Sequence, residues 1–530
     1  MSAGLELEPR TLAEPGSLAA RILAGDGPVA LPLPGRGIEP VRRPARLGSD
    51  AFGVSADAVR PKLERVLAGE GFVVTTGQQP VLFLGPLYVV YKALTAIALA
   101  DRLERELDAP VVPVFWIAGD DHDWQEIGRT RVIDRQNRLR TLAIEAPAGH
   151  QHRSAGQAPL DPAIEALIDE LTEVLPPSEF VSFYLERVRE AYRPGATVSS
   201  AFAETLAAVL DGREYAWLEA VGGPLKRGAV PFFERMIEAP ESVLDALDAG
   251  ASGPEEAGFD PPIARLSGAL PLFYDTGSSR ERLYMSADGL SAGREGPVEP
   301  AAVWRERLAE SASDFSPNVS SRPVLESFLL PVAATVLGPG EVAYWSQLPP
   351  LFGLFDVPVP AIQARAAFTV IEPRNRELLE RLELETDALG DGGDAAVVAL
   401  TSEARPAAVE DGLSGLRRAL GEGLSGAEDA IRRVFPGLRA SIGKTRKAMF
   451  DAMSELEGHV DAEVRRQQET RIDQIRRLAT HLYPDGRPQE RVLSPFYHLS
   501  RYGDELVAAA ARGTAAWLER APLASPREEG

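Results

Sequence analysis

Cysteine is missing from all 530 residues. Disulfides, thiolate nucleophiles, iron–sulfur clusters and thiolate zinc sites are therefore excluded. Histidine is scarce, with six in all. Basic charge is in deficit: 78 acidic against 56 basic side chains leave a formal charge of −22. That sign argues against a phosphate-backbone footprint, so nucleic acid is not an expected partner. The opening MSAGLELEPRTLAEPG lacks the basic stretch and apolar run of a secretory leader. One segment, residues 80–100, has membrane-spanning length, but Lys92 sits near its middle and Gly85-Pro86 interrupts it. A central lysine costs about 2.5–3.5 kcal/mol on insertion. A buried helix of a soluble, cytoplasmic protein with no membrane partner is the expectation.

What is present is a globular mix, 45% apolar and 25% charged, with ample material for a core. At about 150 residues per domain the length suggests three to four units. Residues 1–60, rich in Pro and Gly, read as an N-terminal wrap. From 61 the texture changes. Phe72–Thr76 is a β-branched run ending at Gly77, residues 86–107 are helical, and Val111–Ala118 is a second apolar run ending at Gly119. Strand, helix, strand in this spacing is a βαβ unit of a parallel sheet covered on both faces. The expected fold is α/β, with a first half of the sheet core at 61–138 and a large insertion at 139–314. The core resumes at 315–373, with a helix over 322–336 and a strand at 358–362. Residues 374–484 are helical and charged. Met449, Met453, Leu456 and Val460 are spaced as an a/d seam, which fits either a dimerising coiled coil or a hairpin packed within its own chain. Residues 485–530 return to the core.

Four segments carry candidate chemistry. Thr76-Gly77-Gln78-Gln79, followed by Gly85-Pro86, Tyr88 and Lys92, falls where a strand gives way to a helix. In open parallel sheets that edge binds ligands. Tyr88 and Lys92 are one helical turn apart, so Lys92 could meet a carboxylate or phosphate, or pair with a buried acid. The spacing is not that of a Walker A loop. Asp120-Asp121-His122-Asp123 follows the next strand and opens on the same edge. Three aspartates around one histidine call for a shared cation: a substrate ammonium, a metal or the imidazolium itself. A solvated acidic turn is the plain alternative. Glu341, Tyr344 and Trp345 follow Gly338-Pro339-Gly340 in a third segment, readable also as a tight turn and packing. Arg487, Gln489, Arg491 and Tyr497 form a fourth, either a nucleotide clamp or a surface loop. The other histidines, at 150, 152, 459, 481 and 498, read as surface residues.

Taken in order, T-G-Q-Q, G-P-L-Y, Y-K-A, V-F-W-I-A-x-D-D-H-D, G-P-G-E-V-A-Y-W and P-D-G-R-P-Q-E-R resemble the BshC family, the cysteine ligases of bacillithiol biosynthesis. The resemblance implies a Rossmann-like core similar to class I aminoacyl-tRNA synthetases, with connecting inserts and a coiled-coil dimerisation arm. It implies joining L-cysteine to glucosaminyl-malate as the last pathway step. Phe83-Leu84-Gly85-Pro86 then occupies the place of the synthetases' H-x-G-H element, and neither histidine is there.

The expected activity is amide-bond formation, with ATP as co-substrate because an amide at neutral pH needs an activated acyl group. His122, Asp121 and Asp123 are the catalytic candidates. Substrate binding is expected at Thr76, Gly77, Gln78, Gln79, Gly85, Pro86, Tyr88, Lys92, Trp116, Asp120, Glu341, Tyr344 and Trp345. No metal ligands are assigned. A synthetase-like acyl or nucleotidyl transferase acting on another amine, or a non-catalytic dimeric scaffold, are the competing readings.

Overall fold

The computed structural model describes residues 4–33 and 40–520. They fall into two compact units, one formed by Met1–Val370 with Glu490–Gly530, the other by Ile371–Gln489.

Ten strands of the first unit form its two larger sheets: β1 (Phe52–Val54), β2 (Phe72–Gln78), β3 (Val111–Ile117), β4 (Ala216–Glu219), β5 (Ala269–Asp275), β6 (Arg280–Ser286), β7 (Gly289–Ala292), β8 (Phe315–Pro317), β9 (Val332–Leu337) and β10 (Ala361–Ala364). Six of them form the central sheet in the order β10-β9-β2-β3-β4-β1, parallel except for the β1 edge. Every residue of β3 is buried, as a strand covered on both faces requires. The chain steps outward from β2 through β3 to β4, then returns on the other side of β2 with β9 and β10. The order therefore reverses between β2 and β9, and in open α/β sheets the crevice at such a reversal is where ligands bind. A second, antiparallel sheet runs β7-β6-β5-β8.

The helices that bear on this crevice are α1 (Tyr88–Leu107), α2 (Trp124–Ile127), α3 (Gly223–Glu238), α4 (Ser321–Leu329) and α5 (Pro339–Trp345). The βαβ unit of β2, α1 and β3 lies where the apolar runs placed it. No helix among the described residues is long and apolar enough to cross a membrane.

Three expectations need correcting. The segment 139–314 is not simply an insertion, because β4 lies inside it and pairs with β3, while β1, from the presumed wrap, closes the sheet edge. Both strands are short and only half-buried, so their patterns are weak. At Gly53 a Cβ would sit 2.1 Å from the Trp217 ring, and its absence lets that indole cross the strand. The helix expected over 322–336 ends at Leu329, and Val332–Leu337 is β9. Pro331 cannot continue a helix, and the apolar run beyond it reads equally as strand. His481 and His498 are buried, not on the surface.

The second unit contains two long helices, α6 (Ala407–Val434) and α7 (Arg439–Gln467). Arg405 pairs with Asp461, Arg417 with Glu457 and Arg446 with Glu428, so the helices run antiparallel. The seam differs from the predicted one. Met453 is 3% exposed, but Met449 and Leu456 are 42% and 44% exposed. The protected positions of α7 are Ile442, Phe450, Met453, Glu457, Val460 and Val464, the last five also in a 3–4 repeat. Glu457 holds an inner position through Arg417, which hides the true register from an apolar pattern.

Candidate active site

The two predicted loops meet. A cleft of about 510 Å³ opens at the carboxyl ends of β2, β3 and β9 and is lined by Gly77, Gln78, Gln79, Tyr88, Lys92, Trp116, Asp120, Asp121, His122, Glu341, Tyr344 and Arg491 from the predicted set. Gly77 fits closely there: a Cβ would lie 3.1 Å from the Trp116 carbonyl oxygen, a tight contact, and 3.5 Å from Arg322 Nη1.

The floor is an ion pair. Lys92 Nζ, buried, donates to the Gly77 carbonyl at 2.7 Å and to Gln78 Oε1 at 3.2 Å, and lies 2.6 Å from Glu341 Oε2. Glu341 stands at the third position of α5 and accepts the Gly338 amide at 2.7 Å. Burial pushes the Lys92 ammonium down, while Glu341 pulls it up. Burial would raise the Glu341 carboxyl, but Lys92, Arg322 and the Gly338 amide together hold it below its ordinary value. Both groups are thus shifted downward, and Glu341 stands as a carboxylate against Lys92. Its first partner is internal, which realises the buried-acid alternative for Lys92. Gln78 Nε2 donates to the Tyr88 hydroxyl at 3.1 Å. Burial, with Glu126 and Glu341 nearby, pushes the Tyr88 phenol up to about 12, so it stays neutral and serves as a hydrogen-bonding group rather than a base.

The acidic loop is divided in its duties. Asp120 Oδ1 lies 2.6 Å from Nζ of Lys226, a fully buried α3 residue that also donates to the Phe315 carbonyl at 2.8 Å. Asp120 is therefore already neutralised and is not the free carboxylate expected of it. Asp123 caps α2, accepting the Gln125 and Glu126 amides at 3.0 and 3.2 Å, which turns it from the cleft towards a structural task. Asp121 remains half-exposed in the cleft, held by Gln79 Nε2 at 2.6 Å and the His122 amide at 2.7 Å. His122 Nδ1 stands 3.7 Å from Asp121 Oδ1, too far for a hydrogen bond, and has no hydrogen-bond partner. Among the described residues no three His, Asp or Glu converge as a metal-holding group.

Other predicted residues do not reach the cleft. Thr76 is buried and donates to the Val336 carbonyl, Trp345 and Tyr497 are core residues, and Gly85 packs on Thr130 with Pro86 beside it. Arg487 and Gln489 belong to the other unit, where Gln489 donates to the His481 carbonyl at 2.8 Å.

The cleft also contains residues that sequence reasoning missed: Phe273, Arg280, Arg282, Asn318, Arg322 and Arg365. Arg322 pairs with Glu326 and donates to the Tyr344 hydroxyl at 3.2 Å. Arg365 forms a buried bidentate pair with Glu490 at 2.8 and 2.6 Å and lies over the Tyr88 ring at 5.1 Å. A lone arginine within the apolar run Ala364–Ile371 was a usable signal, since an unpaired cation there would be too costly.

Residues 48–366 match the family described as bacillithiol biosynthesis BshC, N-terminal Rossmann-like domain, and residues 368–511 match the BshC C-terminal coiled-coil domain. The chain belongs to the BshC family. Among its curated relatives, each named "Putative cysteine ligase BshC", the protein of Salinibacter ruber is 30% identical, over 85% of this chain and 82% of its own length. That of Symbiobacterium thermophilum is 31% identical over 83% and 81%, and that of Bacillus cytotoxicus 28% over 84% and 83%.

The ion pair generates a prediction. Glu341→Gln leaves Lys92 a buried cation without its carboxylate and should cost about 3 kcal/mol. Adding Lys92→Met should recover part of that loss, so the double variant falls short of the sum of the singles in urea unfolding. Because the Glu341 pKa is depressed, its contribution is complete above its usual value of 4.5 and fades as pH falls through the lowered one. Additive losses would show that the two groups do not act together.

Proposed function

We propose that this BshC-family protein is a ligase that forms an amide bond, joining the carboxyl group of L-cysteine to the amine of glucosaminyl-malate as the last step of bacillithiol biosynthesis. The observation that carries this reading is the cleft, with the Asp121 carboxylate and His122 on one loop facing a wall of arginines. The relatives' name, cysteine ligase, supports cysteine as a substrate. An amine needs an anionic site to orient it and a base to take its proton, while carboxylates and phosphates need cations. Here Asp121 orients the ammonium and His122 accepts the proton as nitrogen attacks the activated cysteinyl carbonyl. The new carbon–nitrogen bond forms, and the activating group leaves with its electron pair. ATP supplies that activation. With Asp120 neutralised by Lys226 and Asp123 engaged as a cap, one open carboxylate and one imidazole remain on this loop, a simpler arrangement than a four-residue cluster.

His122→Asn should lower kcat by about 10²–10⁴-fold, the usual loss of a general base, with KM for the amine little changed. Asp121→Asn should chiefly raise that KM. Both are read as initial rates of amide formation over a range of amine concentrations, beside bacillithiol produced by a strain carrying each variant at matched protein abundance. An unaltered rate with His122→Asn would make this residue structural.

The functional form proposed is a homodimer through the helical unit. Met449 and Leu456, seven residues apart on α7, share one exposed face, and Val434, Phe435 and Leu438 at the turn are also exposed. An apolar stripe of this spacing is suited to another helix. Replacing Met449 and Leu456 together by Glu should halve the mass seen by sedimentation, whereas an unchanged mass would place any self-association elsewhere.

A further inference from the structure

Two cations in the cleft lack a carboxylate. Arg280 and Arg282 are two residues apart on β6, so they share one face of the strand. Both guanidinium groups lie over the same Phe273 ring, 3.9 and 5.0 Å from its centroid. They can be no farther apart than the sum of those distances. Arg280 donates to Ser316 Oγ at 2.8 Å and to the Pro317 carbonyl at 2.9 Å, both neutral acceptors. No ion pair forms at either arginine among the described residues.

None of the nearby acids pairs with either arginine among the described residues, and all but Asp121 are neutralised or bound elsewhere. Asp275 stands directly across from Arg280 in the sheet, yet both its oxygens accept from Arg153 Nε, at 3.2 and 3.0 Å. Asp120 is taken by Lys226, and Asp121 is held by Gln79 and its own loop. Glu281, between the two arginines, alternates to the opposite face and accepts from Ser279. Burial pushes the Arg280 pKa down and Arg282 adds to that, while Asp120, Asp121 and Asp275 pull it up. A guanidinium stays charged regardless, so the site keeps positive charge in partly desolvated surroundings. Such an arrangement is costly unless an anion completes it. Arg282 and Asn318 also line a second cavity of about 410 Å³, which places Arg282 at the junction of two spaces rather than on an open surface.

We propose that Arg280 and Arg282, braced on Phe273 and flanked by Asn318, form an anion clamp for paired oxygens, and that its occupant is the dicarboxylate end of the acceptor. The choice of a dicarboxylate rests on the ligase reading above. The same chemistry would suit the phosphates of a nucleotide, and the experiment separates the two. With the dicarboxylate on β6, the acceptor's amine end has the Asp121–His122 loop within the same cleft. Arg280 and Arg282 would thus select for the charged malyl group over an amino sugar that lacks it.

Calorimetric titration of the full-length protein with glucosaminyl-malate, with malate alone and with ATP tests this. Arg282 is the primary variant because Arg280 also ties β6 to Ser316 and Pro317. Arg282→Gln should weaken glucosaminyl-malate and malate by about 10- to 100-fold, the scale of a lost charge-assisted contact. ATP affinity should be unchanged, and Arg282→Lys should recover part of the loss. Unaltered affinity for both carboxylate ligands overturns the proposal, as does their failure to bind the unmodified protein. A loss confined to ATP assigns the clamp to phosphates and overturns the dicarboxylate. If malate binds through Arg282 but the protein forms no amide, the clamp stands and the ligase reading falls. If amide forms with an unchanged KM for glucosaminyl-malate in Arg282→Gln, the reverse holds.

Discussion

The Lys92–Glu341 pair joins the two halves of the sheet at the point where strand order reverses. Lys92 comes from α1, after β2, and Glu341 from α5, after β9. A parallel sheet leaves its carboxyl edge as a row of separate loops, and the reversal opens a gap between two of them. The ammonium spans that gap by binding Gly77 and Gln78 on one side and Glu341 on the other. Glu341 in turn holds the start of its own helix through Gly338. The floor is rigid because each charge has several partners, and a buried pair survives only with such geometry.

Above that floor the cleft separates charges that stabilise the fold from charges left open. Lys226 neutralises Asp120, Glu326 answers Arg322, Glu490 answers Arg365, and Arg153 removes Asp275. These pairs leave an exposed carboxylate and imidazole on one side, and two arginines on an aromatic ring on the other. A substrate with an amine at one end and carboxylates at the other matches that polarity.

The sequence made the centre legible and the periphery obscure. Val-rich runs ending in glycine located β2, β3 and both of their loops, because buried parallel strands carry a continuous apolar signal. A lysine amid an apolar helix announced a buried charge, but its partner lay 249 positions away in a segment read either as a substrate-binding one or as a tight turn. Lys226 was invisible for the same reason, sitting 106 residues from Asp120 on a helix with nothing unusual about it. Arg280-Glu281-Arg282 did hold a readable alternation, two cations on one face of a strand, which gained meaning only once β6 was placed at the cleft. The coiled-coil register slipped by a residue at two positions because Glu457 occupies a protected place that an apolar template assigns to Leu456.

A crystal structure of the protein with glucosaminyl-malate bound tests the central claim most directly. The account predicts the amine within hydrogen-bonding reach of Asp121 or His122 and the malyl carboxylates on Arg280 and Arg282, above an unbroken Lys92–Glu341 pair. A ligand bound outside this cleft, or lying in it with its amine toward the arginines, would contradict it.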